Sequence, residues 1–182
     1  MTEVATDAFQ LLRELDRLAR SRKRVLPVRE EPREEWLGIG FRLGGRTLIA
    51  AMDQVAEVVG VPGMARIPGV KPWVLGLANL RGRLIPVMDL HGFLFDAEGP
   101  VGESSARRAI VIDTEGIVAG LVVDGVVGMR HFWRDELQGA PPGLEPALEP
   151  YVQASFPVQD QRIGVFDFSR LARSEAFLDV AR

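Results

Sequence analysis

The most informative stretch of this chain is GLANLRGRLIPVMDL, residues 76–90. Apolar residues, Leu84 among them, fill both sides of a two-residue break at Arg81-Gly82. Gly82 can adopt a positive φ at little cost because it has no Cβ atom. The pattern predicts a largely buried β-hairpin with Asn79 and Arg81 at its tip. Because this tip carries no nucleophile, metal ligand or phosphate-binding loop, it favours contact with a partner over catalysis.

Short apolar segments of similar length occur on both sides of this hairpin. The other predicted strands cover residues 36–43, 46–51, 108–113, 117–123, 126–132, 151–156 and 162–166, and residues 52–59 are predicted to form a short helical turn that runs into a further strand. Turn pairs such as Gly44-Gly45 and Glu115-Gly116 separate several of them. About ten short strands at this spacing predict an all-β barrel or sandwich. Helix is predicted only at connections and ends, as a turn over residues 89–95 and a closing helix that Ser169 caps and that runs through Phe177.

The first 35 residues differ from this β region. Apolar residues between Ala8 and Ala19 recur at helical spacing, which predicts an amphipathic helix of about three turns. A basic cluster and a polar stretch follow it. We therefore divide the chain into a helical extension with its linker, residues 1–35, and a β domain, residues 36–178. The helix is either solvated or docks its leucine stripe on a partner helix or on the domain itself, and we expect it to be dispensable for folding.

Composition narrows the function classes. The chain has 182 residues and no cysteine, which rules out disulfides, thiol catalysis and cysteine-based metal sites. A net charge of −3 argues against nucleic acid as a partner. No apolar run approaches the roughly 20 residues that span a bilayer, and the N-terminus lacks the basic and apolar regions of a signal peptide. We expect a cytoplasmic protein without membrane insertion.

The residues that could carry chemistry do not form a recognisable catalytic set. His91 and His131 are not in a metal-ligand spacing, and no phosphate-binding loop or serine nucleophile motif is present. The sequence therefore predicts a protein that is not an enzyme and that holds no metal or cofactor. The alternative from a different class is a small-ligand-binding or hydrolytic β-barrel that uses Asp89 and Asp124, and it predicts a closed pocket with converging acids.

Motifs across most of the β region resemble the CheW-type adaptor family of bacterial chemosensory arrays. They keep their order over residues 36–175 and are Val55-Ala-Glu57-Val58, Ile67-Pro68-Gly69, the run over residues 76–90, and Gly120-Leu-Val-Val123-Asp124. Within the family, the chain is most similar to the member that belongs to the pathway controlling type IV pili and twitching motility. This similarity rests on the helical extension and on the segments WLGIGFRLGGR, PGVKPWVLGLANLRGRLIPVMDLHGFL and EAFLDV. An adaptor of flagellar chemotaxis is the alternative within the family.

This resemblance implies a fold and a set of partners. The fold is two five-stranded SH3-like β-barrels with a shared core, an N-terminal helical extension and a short C-terminal helix. The function is that of a non-enzymatic adaptor that joins a methyl-accepting chemoreceptor of the PilJ-like kind to a CheA-type histidine kinase. The kinase would bind through barrel edges of the same fold, and the receptor tip would lie in a groove between the barrels. The protein would act as a monomer or as part of a receptor array, at arrays or cell poles.

The resemblance also implies which residues face the receptor and the kinase. They are Val55, Glu57, Val58, Gly76, Asn79, Arg81, Gly82 and Gly120. The glycines allow close approach of another backbone, and the two valines offer apolar area. Glu57 and Arg81 are expected to pair across neighbouring strands and to fix the arginine beside the groove.

Overall fold

The computed structural model describes Arg17, residues 33–96 and residues 105–182. By their internal contacts, residues 1–33 and residues 34–182 form separate units. Arg17 is helical and exposed, and the rest of the helix expected in the extension lies outside the described residues. The division at residue 35 into an extension and a β domain stays a prediction.

The second unit is built mainly of β-strands. The strands are β1 (Glu35–Leu43), β2 (Arg46–Ala51), β3 (Val55–Gly60), β4 (Val74–Leu80), β5 (Arg83–Asp89), β6 (Arg108–Thr114), β7 (Ile117–Val123), β8 (Gly125–Trp133), β9 (Gln138–Gly139), β10 (Val152–Val158) and β11 (Gln161–Phe166). The α-helices are α1 (Leu90–Phe95), α2 (Phe168–Ala172) and α3 (Glu175–Leu178). None of the helices in the described part of the chain has the length and apolar character needed to cross a bilayer.

The strands form two sheets, and the chain passes from one to the other twice. The first sheet has the order β8-β1-β2-β11-β10-β9, and the second has the order β3-β6-β7-β5-β4. The chain leaves the first sheet through a 3₁₀ turn at Met52–Gln54 and returns to it past the single residue Asp124. The predicted pair of β subdomains is confirmed, and the first has a two-residue sixth strand, β9, in addition to the five expected.

Each sheet closes toward a barrel because the chain beyond one edge strand reaches the opposite edge. Beyond β3 the chain reaches Ala65, whose N–H and C=O both hydrogen-bond to Leu77 of β4 at 2.8 and 2.9 Å. In the first sheet, β8 runs through a 3₁₀ turn, Arg134–Glu136, into β9 at the other edge. The two Ala65–Leu77 hydrogen bonds satisfy groups at the edge of β4 that would otherwise be free to pair with another chain.

One apolar core lies between the two sheets, as the resemblance implied. The largest cluster of buried side chains takes Phe41 and Leu48 from the first sheet and Ile110, Ile112 and Leu121 from the second. Each of these five side chains is almost fully buried. Burial of such a side chain stabilises the fold by about 1.5–3 kcal/mol. The barrels therefore share a core and fold against each other.

The hairpin turns follow the sequence closely. Arg81 and Gly82 have φ values of 52° and 84°, Gly44 and Gly45 have 58° and 78°, and Glu115 and Gly116 have 54° and 76°. Two successive positive φ values define the type I′ turn, whose twist matches that of the flanking strands. The turn expected at Gly82 is confirmed.

The central hairpin is buried only at its base. Ile85 and Val87 are 3% and 0% exposed, whereas Leu84 next to the turn is 71% exposed. Successive side chains of a strand point to opposite faces, so a strand that buries residues 85 and 87 must turn residue 84 outward. The expectation of a largely buried hairpin was wrong for its tip.

The C-terminal helix is two short helices, and Ser169 does not cap the first. The cap of α2 is Asp167, whose Oδ1 accepts hydrogen bonds from the N–H groups of Ser169 and Arg170 at 2.9 and 3.3 Å. The Ser169 hydroxyl lies instead 2.9 Å from the Thr114 hydroxyl of the second sheet. Asp and Ser are both good caps, and the position where β11 ends selects Asp167.

Candidate partner-binding site

The candidate site is the end of the β4–β5 hairpin, which we call the tip surface and define as residues 79–84 with Glu57. The Asn79 side chain holds its turn, because Oδ1 accepts a hydrogen bond from the Gly82 N–H at 2.8 Å. This bond supports Arg81, whose left-handed backbone costs an L-residue about 1–2 kcal/mol. The turn therefore fixes the direction in which the Arg81 side chain leaves the barrel.

Arg81 forms an ion pair with Glu57. Its Nη2 atom lies 2.8 Å from Glu57 Oε2, and its side chain is 83% exposed whereas that of Glu57 is 23% exposed. The expected pair is confirmed, but the two residues do not come from neighbouring strands. Glu57 lies on β3, and Arg81 follows β4, the strand at the opposite edge of the sheet. The pair forms because the barrel closes and brings these edges together.

The tip surface combines positive charge with exposed apolar area. The Arg83 side chain is exposed and has no hydrogen bond or ion pair within the described part of the chain. Leu84 is paired in register with Asn79, so the two side chains share the outer face of the hairpin. Neither Arg83 nor Leu84 was among the residues expected at the site. The alternation of buried residues in β5 was the signal that could have identified Leu84.

Gly76 is where a second backbone approaches, but the approaching backbone belongs to the same chain. A Cβ atom on Gly76 would lie 2.3 Å from the Ala65 carbonyl oxygen, and the residue has a φ of 151°. The close approach that was expected for a partner is therefore occupied by residue 65. Ala65 was not identified from the sequence, since nothing local marks residue 65 as the pairing partner of β4.

Three further predicted residues are wholly or partly buried. Val55 is 7% exposed within the shared core, and Val58 is half-buried against the same cluster. Gly120 is buried, and a Cβ atom there would lie at ordinary contact distance from Val87 and Ile85, 3.6 and 3.7 Å. The structure thus brings Glu57, Asn79, Arg81 and Gly82 together in one exposed surface. The binding roles of all eight predicted residues stay predictions.

The two acids of the alternative function each hold a structural contact. Asp89 is 5% exposed, and its Oδ1 accepts hydrogen bonds from the N–H groups of His91 and Gly92 at 3.1 and 3.2 Å, which caps α1. Its Oδ2 lies 3.6 Å from Arg107 Nη2. Asp124 accepts a 2.7 Å hydrogen bond from the Gly44 N–H where the chain returns to the first sheet. Each of the two carboxylates therefore has a structural role in holding the fold together.

Gln54 connects the two barrels and was not identified from the sequence. Its side-chain amide donates to Asp167 Oδ1 and the Ser169 hydroxyl at 2.9 and 3.1 Å, and its Oε1 accepts a 2.9 Å bond from the Phe168 N–H. These contacts tie the 3₁₀ turn that leads into the second sheet to the helix that follows the first. Since the partners lie more than 110 positions away, no local pattern reveals them.

Comparison with known proteins gives consistent matches. The model of the CheW-like domain family matches residues 37–176. Protein PilI of Pseudomonas aeruginosa is 44% identical over 181 residues, which cover 100% of this chain and 99% of that protein. Protein FrzA of Myxococcus xanthus is 30% identical over 162 residues, 87% of this chain and 98% of that protein. PilI is the family member that the quoted sequence segments of this chain resemble.

A solved structure supports the same family. The scaffolding protein TtCheW from Thermoanaerobacter tengcongensis superposes with a TM-score of 0.66 at 26% identity. The match covers 79% of this chain and 96% of the other. This likeness agrees with the all-β fold predicted from the strand pattern.

Proposed function

This chain belongs to the CheW-like family, and we propose that it is a non-enzymatic adaptor that couples a methyl-accepting chemoreceptor to a CheA-type histidine kinase. Members of the family are scaffold proteins without catalytic activity, and its adaptors couple chemoreceptors to this kinase. The similarity to PilI and FrzA supports a chemosensory role. Such an adaptor needs no covalent chemistry. It needs only that binding of one partner changes the free energy of binding of the other.

The observation that carries the proposal is the exposed ion pair of Arg81. An exposed pair of this kind contributes only about 0–1 kcal/mol to folding. Losing one partner of a charge pair that a partner protein desolvates costs about 2–5 kcal/mol. The hydrogen-bonded turn and Glu57 hold the guanidinium in one place. The arrangement is therefore worth more to binding than to stability, which supports Arg81 as a contact of the receptor.

The kinase occupies a different surface in this proposal. Its regulatory domain has the adaptor's fold, so the two proteins meet through barrel edges, and the tip surface remains available to the receptor. Simultaneous binding lets the state of one partner change the affinity for the other. Such coupling is typically about 1–3 kcal/mol and acts equally in both directions.

The pathway we propose is the one that controls type IV pili and twitching motility. The full-length match to PilI supports it, since the match includes the extension that precedes the CheW-like region. The receptor is then a PilJ-like protein, and the adaptor works in the cytoplasm at receptor arrays or cell poles. Deletion of the gene is expected to reduce twitching and to leave swimming unchanged. The reverse result identifies a flagellar adaptor.

The test measures the two partners separately. The full chain and its Arg81→Glu variant are titrated with the cytoplasmic tip of the receptor and with the regulatory domain of the kinase. We expect the variant to bind the receptor at least about tenfold more weakly, because a desolvated charge contact is reversed, and to bind the kinase domain unchanged. The control is Arg182→Glu, which reverses the charge of an exposed arginine outside the tip surface and is expected to leave receptor binding unchanged. Equal receptor binding by wild type and a folded Arg81→Glu removes Arg81 from the interface.

A further inference from the structure

A cavity of about 570 Å³ opens in the six-stranded barrel, at the end that carries the β10–β11 turn. Residues from five of the six strands line it, among them Thr47, Ile49, Arg130, Val158 and Ile163. A neighbouring cavity of about 430 Å³ shares Thr47, Arg130 and Ile163 with it. Volumes of about 300–1,000 Å³ are typical of sites for small molecules.

Apolar side chains form part of the wall of this cavity. Phe132 lines it and stacks on Phe156 with ring centres 4.4 Å apart. Trp36 packs on Phe156 at 4.8 Å, so three aromatic rings fill the barrel next to the open space. Ile49 and Ile163 also line the cavity. A ligand that enters can therefore bury an apolar body.

Arg130 is a cation available to a ligand at this cavity. Its side chain is exposed and has no hydrogen bond or ion pair within the described residues. The other two arginines of the adjoining cavity are engaged: Arg46 donates to Glu145 at 2.6 Å, and Arg162 donates to the Ser155 hydroxyl at 3.0 Å. Of the three arginines, only Arg130 offers its whole guanidinium.

The acids and the histidine near the cavity do not neutralise Arg130. Glu136 lies on the rim and is engaged in an interaction of its own. His131 also lines the cavity, and its Nδ1 lies 2.5 Å from a carboxylate oxygen of Glu35. The charge of Arg130 is therefore directed at the cavity without a counter-ion in the described chain.

We propose that this cavity binds a small carboxylate with an apolar body. The guanidinium of Arg130 presents parallel donors that match the two oxygens of a carboxylate. The apolar body then packs against Ile49 and Ile163, where burial contributes about 25 cal/mol per Å². The site lies in the first barrel, whereas the tip surface lies in the second, so this ligand does not compete for the residues assigned to the receptor.

The experiment titrates the full chain with octanoate as the probe. Octanoate binding is measured as displacement of the fluorescent anion 1-anilinonaphthalene-8-sulfonate. We expect Arg130→Gln to weaken octanoate binding at least about tenfold, since a charge-assisted contact is lost. Arg83→Gln removes an unpaired arginine from the other barrel and is expected to leave binding unchanged. Octanol, which has the same body without the charge, is expected to bind at least about tenfold more weakly than octanoate.

A second variant tests the cavity itself. Thr47 is exposed and lines both cavities, so Thr47→Trp fills the shared opening without disturbing the core. We expect it to abolish octanoate binding at an unchanged melting temperature. Absence of octanoate binding to the wild type overturns the proposal. Equal binding by the wild type and both cavity variants, or equal binding of octanol, also overturns it.

Discussion

The base and the tip of the β4–β5 hairpin lie a few residues apart and are built for different tasks. At the base, Gly76 is pressed against the Ala65 backbone and Val87 is fully buried. At the tip, Arg81 and Leu84 are largely exposed, and one turn hydrogen bond and one ion pair hold the conformation. The same hairpin therefore anchors the barrel at one end and presents a defined surface at the other. Substitutions should affect stability at the base and binding at the tip.

The largest expected effect is at the base. Gly76→Ala places a Cβ atom 2.3 Å from a backbone oxygen that cannot rotate away, at a φ of 151°. We expect the free energy of unfolding to fall by about 3 kcal/mol or more, as strain and overpacking act together. Urea denaturation measures this fall in the free energy of unfolding. The control is Gly120→Ala, where the new methyl group meets its neighbours at 3.6 Å or more and little change is expected.

The second effect is at the tip and concerns binding. Arg81→Ala should change the free energy of unfolding by less than about 1 kcal/mol while reducing receptor affinity at least about tenfold. Calorimetric titration with the receptor tip, beside urea denaturation, measures both. A fall in stability as large as that of Gly76→Ala would show that the tip anchors the barrel too, and the contrast between the two ends would be lost.

The third effect concerns the turn at the tip of the hairpin. Asn79→Ala removes the acceptor of the Gly82 N–H and leaves Arg81 in its left-handed conformation without support. We expect a loss of about 0.5–1.5 kcal/mol in unfolding free energy and weaker receptor binding. Leu84→Ala, its exposed cross-strand neighbour, is the control for stability, with a change within about 0.5 kcal/mol. Identical losses for the two variants would argue against a role of the Asn79 hydrogen bond.

The smallest expected effect is at the ion pair between Arg46 and Glu145, which lies outside the surface assigned to the receptor and serves as a comparison for the Arg81 pair. Burial raises the pKa of Glu145. The hydrogen bond and charge of Arg46, together with a backbone hydrogen bond, lower this pKa by more than burial raises it, so the net shift is downward. A lowered folded-state pKa stabilises the protein above the ordinary value of 4.5, and the contribution is lost as the pH falls through the folded-state pKa.

Glu145→Gln isolates this contribution. Because the pair is about 40% exposed on both sides, its contribution is about 0–1 kcal/mol. The difference in unfolding free energy between wild type and Glu145→Gln should be present at pH 7 and shrink toward pH 3, as followed by urea denaturation. A difference that grows as the pH falls would reverse the sign of the assigned shift. Receptor and kinase binding should be unchanged, in contrast to the Arg81 variants.

Much of the fold was predictable because its signals are local. Dipeptides such as Arg81-Gly82 and Glu115-Gly116 determine type I′ turns through the conformational freedom of glycine, and alternating apolar residues mark the strands between them. The exposure of Leu84 followed from the same alternation and was missed. Caps are less certain, since Asp167 and Ser169 both suit a helix start and only the end of β11 selects between them.

The strands, their turns and the family could be recognised from the amino-acid sequence, which also predicted that Glu57 and Arg81 form a pair. The tertiary structure alone decided how that pair forms, across the closure of a barrel and not between neighbouring strands. It also decided that Ala65 occupies the space beside Gly76 and that Asp124 holds the turn at Gly44. The physical reason is the same in each case: turns and alternation depend on residues adjacent in sequence, whereas these contacts form only after distant segments have packed around one core.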